Sequence, residues 1–388
     1  MKRIGILTFH RSINYGAYMQ CFSLAHYLQK QFPDCRVEVI DYESKFMGDH
    51  YVPKLNLSYL RHPLIFRTKK KQYQSFQDAL KFLPLSEQYF IFDGLDERFS
   101  RYVDEHYDVV IVGSDAVFNW IKRGFPNPYI CPPGQRKLSY AASAYGMPLQ
   151  DIMPEQMKVF GEQLKEFLYL GVRDSYTDGL VKQACTTSQP AFTCDPTVFL
   201  DVEQVYEKLG HTRESFREYI YKKYRLPRDK KLIGVMETNP KAMNIVREIL
   251  GKEYYFVGLY SHTKGVDKHI GELNPLEWSV MFGLFEMTIT NYFHGTLLSL
   301  RNHTPVLSFD RTPFSAVHEG KIHDVMRRMD LLDCCFEGVY EAEPLQKQAE
   351  KVLKNRDAYS CKIAKNLEEL RKSTLGFTQA LQDALEAL

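Results

Sequence analysis

No uninterrupted apolar run in the sequence approaches the ~20 residues that span a bilayer, so any membrane contact is expected to be peripheral. The first apolar stretch, residues 4–7, is too short for the hydrophobic region of a signal peptide, and a cytoplasmic protein is expected. The 8 cysteines never fall in C-x-x-C spacing, and Cys334 and Cys335 are neighbours that could hardly bridge each other. They read as small apolar residues in a reducing compartment. No H-E-x-x-H, paired C-x-x-C or acidic D-x-D cluster occurs, so neither metal nor other cofactor is expected. Neither a G-x-x-x-x-G-K-[ST] loop nor a strand-following G-x-G-x-x-G is present to hold a nucleoside triphosphate or a dinucleotide. Charge of one sign is also lacking: 50 Lys and Arg stand against 48 Asp and Glu. That balance argues against nucleic acid as partner. No fixed-period repeat and no low-complexity segment appears.

What remains is a chain of 388 residues, longer than one hydrophobic core usually supports. Residues 3–9 read as a buried strand, 17–30 as a helix with Ala17, Cys21, Leu24, Ala25 and Leu28 on one stripe, and 37–41 as a second strand. Further strands are predicted at 108–112, 138–142 and 170–173, with a helix at 155–167. Residues 51–101, rich in Tyr, Phe and Lys, break this rhythm and are expected to form a helical insertion over one sheet edge. The basic run Arg67–Lys71 within it reads as a solvated helix face.

A second series follows, with strands at 232–236, 254–257, 287–290 and 306–309 and helices after Pro240, at 275–285 and from His294. The expected fold class is therefore α/β: two doubly wound, Rossmann-like domains, 1–200 and 201–340, facing each other across a cleft. Residues 341–388 are expected to form a helical tail that braces one domain.

Chemistry should sit in loops after the apolar strands. In Asn14-Tyr15-Gly16-Ala17, Gly16 permits a close turn and the helix start offers amides to an anion, the alternative being a tight turn without a ligand. Ser114, Asp115 and Asn119 follow residues 109–112 and could bind a sugar, though Asp115 could simply cap a helix. Arg173 ends a strand, where its charge demands either a phosphate or carboxylate ligand or an internal pair with Asp174 or Asp195. The sharpest signal is Thr290-Asn291-Tyr292-Phe293-His294-Gly295-Thr296. Asn291 could cap, Gly295 leaves room, the amides near Thr296 could hold an anion, and His294 could exchange a proton beside it. Arg311 brings a second cation after the next strand, or else is surface charge.

Taken in order, Thr8-Phe9-His10, Asn14-Tyr15-Gly16-Ala17, Val112-Gly113-Ser114-Asp115, Ser139-Tyr140-Ala141-Ala142-Ser143, Val172-Arg173-Asp174, Asp195-Pro196-Thr197 and Phe293-His294-Gly295-Thr296 resemble the polysaccharide pyruvyl transferase family. The resemblance implies a two-domain fold like that of the GT-B glycosyltransferases, phosphoenolpyruvate as donor, and a pair of sugar hydroxyls, free or lipid-linked, as acceptor. It implies His294 as catalytic acid. Donor contacts are expected from Arg173, Arg311, Gly295, Thr296, Asn14 and Gly16, with Tyr15, Ser114, Asp115, Asn119, Ser143, Asn291 and Tyr292 lining the acceptor side. A lipid-linked acceptor would place the protein at the inner face of the membrane. Asn291 and Tyr292 depart from the family's usual T-D-S-F-H-G, which leaves open a nucleotide-sugar glycosyltransferase or a non-catalytic sugar-binding partner in an assembly complex.

Overall fold

Val109–Val112 is aliphatic and buried at every position, the pattern of a strand covered on both faces. Five more segments lie beside it in a parallel sheet. In the protein's structure, a computed structural model, residues 1–53, 63–121, 123–236, 240–259, 265–310, 320–337 and 341–388 are described. For Tyr51, residues 63–65 and Pro240 only the backbone is described. The chain divides into two compact units. The first comprises residues 1–56, 76–199 and 371–388; the second comprises 57–75 and 200–370.

Unit 1 contains β1 (Arg3–Leu7), β2 (Arg36–Val39), β3 (Tyr42–Glu43), β4 (Phe90–Ile91), β5 (Val109–Val112), β6 (Lys137–Ala142), β7 (Phe167–Val172) and β8 (Ala191–Phe192). Its main sheet is parallel and ordered β2-β1-β5-β6-β7-β8, while β3 and β4 pair separately. The chain steps outward from β1 to β2 and then resumes on the opposite side of β1 at β5. Strand order therefore reverses between β1 and β5, the position at which open α/β sheets bind ligands beyond their carboxyl ends. Residues 51–101 are only partly helical: Pro63–Ala79 and Glu97–His106 are helices, but β4 lies between them and residues 54–62 are outside the described residues.

Unit 2 repeats the plan with β9 (Lys231–Met236), β10 (Tyr254–Gly258), β11 (Lys268–His269), β12 (Met287–Thr290), β13 (Val306–Asp310) and β14 (Cys335–Glu337). The order is β11-β10-β9-β12-β13-β14, again parallel, so the reversal falls between β9 and β12. Thr290 of β12 is in register with Met236 of β9.

The C-terminal segment divides between the units. Helix Ala342–Lys354 turns Leu345, Ala349 and Val352 inward and packs on helix Pro240–Leu250 of unit 2. Helix Leu375–Glu386 belongs to unit 1, where the fully buried Phe377 meets Tyr140 edge-on at 4.7 Å between ring centroids. Beside it Tyr140 Oη and Thr374 Oγ1 share a hydrogen bond of 3.1 Å. No helix among the described residues is long and apolar enough to cross a membrane.

Candidate functional site

The reversal in unit 1 gathers loops from three strands. Thr8, just past β1, donates its hydroxyl to the Ser114 carbonyl at 3.1 Å, tying the β1 and β5 loops together. Asp115 follows with φ of 74°, a left-handed conformation that costs a side chain little only for glycine, asparagine or aspartate. Its carbonyl accepts from Val117 N and Ser143 N, joining the loop to the end of β6. Gly113 is the tightest point: a Cβ there would lie 2.1 Å from the Tyr140 carbonyl oxygen. Arg123 lies over the Phe9 ring at 3.9 Å and donates to the Ala116 and Asn119 carbonyls.

Arg173 leaves the end of β7 and is buried in the internal ion pair that the sequence offered as its alternative. Its Nη1 donates to Asp195 Oδ2 at 3.2 Å, and its Nη2 lies 3.9 Å from Asp115 Oδ1. Asp195 also accepts from the amide of Gln20, and from Thr197 N and Oγ1. Asp174 accepts from Ser143 Oγ at 2.6 Å and from Thr177. A guanidinium neutralised in this way has little charge left for an anionic ligand. Beside these loops His10 donates to Asp41 Oδ1 at 2.8 Å, and Arg11 grips both Asp41 oxygens at 2.6 Å. Burial pushes the Asp41 carboxyl up, but the hydrogen bonds from Arg11 and His10 outweigh it and hold the group below its usual range. Glu43 shifts the other way, raised by burial against the hydrogen bond it accepts from Tyr89.

The remaining unit 1 residues have structural occupations. Asn14 caps helix Tyr15–Gln31, accepting from the amides of Gly16 at 2.9 Å and Ala17 at 3.3 Å, so the anion nest expected there is filled by the chain's own side chain. Tyr15 is core, tilted against Phe76 at 4.8 Å, rather than lining a site. Ser143 is fully buried in its bond to Asp174. Asn119 is half-buried and donates to the Tyr145 carbonyl.

In unit 2 the loop after β12 stands at the reversal and enters helix Phe293–Arg301. The N-cap is Tyr292, not Asn291, and it supplies no side-chain cap; no acid occupies the first turn. His294 is half-buried, its ring edge-to-face with Phe293 at 5.2 Å. Gly295 is a packing glycine, since a Cβ there would lie 2.5 Å from Thr290 Oγ1. Thr296 is buried, with its hydroxyl 2.9 Å from Ser308 Oγ on β13, so it serves the strand–helix interface. Asn291 and Tyr292 are half-buried in the same loop. Arg311 lies outside the described residues.

Four contributors escaped the sequence reading: Gln20, Arg123, Asp310 and Lys321. Asp310 Oδ2 accepts from the Ile322 and His323 amides at the start of helix Lys321–Arg328, and Lys321 Nζ lies 5.4 Å from the Phe293 ring, bringing a cation toward the His294 helix start. Gln20 had a signal, a polar residue within an otherwise apolar helix stripe; the others depend on contacts distant in sequence. Among the described residues no cluster of His, Cys, Asp or Glu could hold a metal ion.

Solved structures similar to this chain share its two-unit α/β plan at low sequence identity. The UDP-GlcNAc 2-epimerase from Neisseria meningitidis, bound to UDP-GlcNAc, superposes with a TM-score of 0.59 at 10% identity, covering 99% of this chain and 100% of that one. A putative UDP-N-acetylglucosamine 2-epimerase from Listeria monocytogenes gives 0.58 at 13% identity, covering 100% and 98%. These likenesses establish the fold, two Rossmann-like domains of the GT-B type. A comparison with curated proteins finds no match. The family profile for Polysaccharide pyruvyl transferase matches residues 14–313, from the cap of the first helix to beyond β13. By that match the chain belongs to the polysaccharide pyruvyl transferase family.

Proposed function

We propose that the protein transfers the pyruvyl group of phosphoenolpyruvate onto two hydroxyls of a saccharide, forming a cyclic ketal in polysaccharide biosynthesis. The observation that carries this reading is the placement of His294. It stands at the turn from β12 into a helix, beside the reversal of strand order, where the start of the helix has neither side-chain cap nor acid. Helix-start amides and the macrodipole favour an anion there. Lys321 and Arg311 supply cations for the donor's phosphate and carboxylate, a role for which the paired Arg173 is poorly suited.

In this reading His294 delivers a proton to the enol methylene, which makes the central carbon electrophilic toward a sugar hydroxyl. A second hydroxyl then displaces phosphate and closes the ring. The test is to incubate the purified protein with phosphoenolpyruvate and p-nitrophenyl hexosides bearing free vicinal or 4,6 hydroxyl pairs, following phosphate release and product mass. Replacing His294 by Ala should lower turnover roughly 10²–10⁴-fold. Transfer from a nucleotide-sugar with no requirement for phosphoenolpyruvate would refute the proposal.

A further inference from the structure

Independently of that reading, we infer that unit 2 carries a second binding site, for a phosphorylated sugar, on helix Arg213–Tyr224. A cavity of about 520 Å³ opens along this helix, within the size range of small-molecule sites. Ser215, Glu218, Lys222 and Arg225 line it, and their spacing by three and four residues puts them on one face. The loop beyond Arg225 leads into the amino end of β9, whereas His294 follows the carboxyl end of β12, the parallel neighbour of β9. The cationic end of the cavity and the His294 loop therefore lie at opposite ends of one sheet.

Charge selects the ligand. Lys222, Arg225 and Arg228 line the cavity against a single acid, Glu218, so two positive charges are in excess. Arg228 grips both Glu218 oxygens, at 2.9 and 2.6 Å, and each group neutralises the other. Neither Lys222 nor Arg225 has a side-chain hydrogen bond or ion pair among the described residues, and both are exposed. Two unengaged cations match the charge of one phosphate monoester, to which ammonium and guanidinium groups donate. Glu218 on the same wall disfavours a longer polyanion such as nucleic acid.

Arg225 sets this face apart from an ordinary helix end. It caps the helix at φ of 54° and ψ of 49°, the left-handed conformation in which glycine or asparagine is the usual occupant. The chain thus carries a guanidinium at a position where the backbone alone favours glycine.

The rest of the lining suits a sugar. The rings of His211 and Tyr219 lie 5.0 Å apart at 31°, and Tyr219 is fixed by donating to Glu277 Oε1 at 2.9 Å. His211 Nδ1 and Ser215 Oγ are 3.2 Å apart. Aromatic faces take the C–H side of a sugar ring, while the Ser215 hydroxyl and the Glu218 carboxylate take its hydroxyls.

The experiment measures binding of glucose 1-phosphate to the full-length protein by calorimetry, beside glucose and inorganic phosphate, and repeats it with Arg225→Gly and Lys222→Gln. Glycine suits the left-handed cap and Lys222 is exposed, so both variants should fold, and their melting curves check this. Glucose 1-phosphate should bind the wild type more tightly than either fragment, and each variant should weaken it roughly 10–100-fold, the worth of one charged hydrogen bond. Phosphoenolpyruvate at saturation should leave that binding unchanged. Phosphatidylcholine vesicles with and without phosphatidylinositol identify the source: capture by the latter that Arg225→Gly abolishes assigns the site to a lipid headgroup, and no capture assigns it to a soluble sugar phosphate. A wild type that does not bind glucose 1-phosphate, inorganic phosphate that binds as well, displacement by phosphoenolpyruvate, or folded variants that bind like wild type would each overturn the site.

Discussion

Gly295 shows how a motif residue can serve packing. Its missing side chain lets helix Phe293–Arg301 approach β12, and a methyl there would press on Thr290 Oγ1 at 2.5 Å and Met236 Sδ at 3.1 Å. Gly295→Ala should therefore cost about 1–3 kcal/mol by overpacking, and pairing it with Thr290→Ala should recover part of that loss in denaturant titrations. Asp41 makes a second case. Because its folded value lies below the ordinary 3.8, its contribution to stability is fully present above that value and is lost as pH falls through the lower folded one. Asp41→Ala leaves buried His10 and Arg11 without their carboxylate and should cost about 3–5 kcal/mol at neutral pH. The gap from wild type in urea midpoints should narrow as pH is taken below 3.8; a constant gap would contradict the assignment. The place of His294 in the first turn of a helix that follows a strand was legible at this scale, because a strand-to-helix turn is a local pattern. The pairing of Arg173 with Asp195 was not, because the choice between ligand and internal partner depends on a residue brought alongside by β8.

At the level of elements, strands covered on both faces announced themselves. Val109–Val112, Lys231–Met236 and Met287–Thr290 are aliphatic runs whose composition already demands burial. The short strands Ala191–Phe192 and Lys268–His269 carry no such signal, since two residues at a sheet edge have no periodicity to read. Helix starts were misread for a related reason: whether Asn14 caps its own helix or leaves the amides to a ligand is a matter of one side-chain rotation. Helix Leu375–Glu386 was expected to brace a domain, and its anchor can be tested. Phe377 is fully buried between Tyr140 and Tyr169, so Phe377→Ala should cost about 3–5 kcal/mol, read as a lower thermal midpoint.

For the whole molecule, the two reversals of strand order place the loops with chemical character, 113–119 and 291–296, at equivalent positions in two sheets of the same plan. That equivalence was legible, because alternating strands and helices with polar loops after the strands imply it. The division of the tail was not, since amphipathic helices do not declare which surface they will cover. Neither unit is a single stretch of chain, which predicts the behaviour of fragments. Residues 1–199 expressed alone should melt well below the same segment linked to residues 371–388, because Arg371 and Ser373 bond the Val198 carbonyl and Cys194 amide that the short fragment leaves bare. Equal midpoints by circular dichroism would contradict this.

The returning helix has a consequence for biosynthesis. Arg136 and Lys2 donate to carbonyls at its far end, so the first strand and the closing helix are secured to the same body. A ribosome releases every residue of unit 2 before it releases the piece that completes unit 1. The half of the protein that is translated earliest is thus the last able to mature, and until then it waits with Tyr140 uncovered for a partner still to be translated.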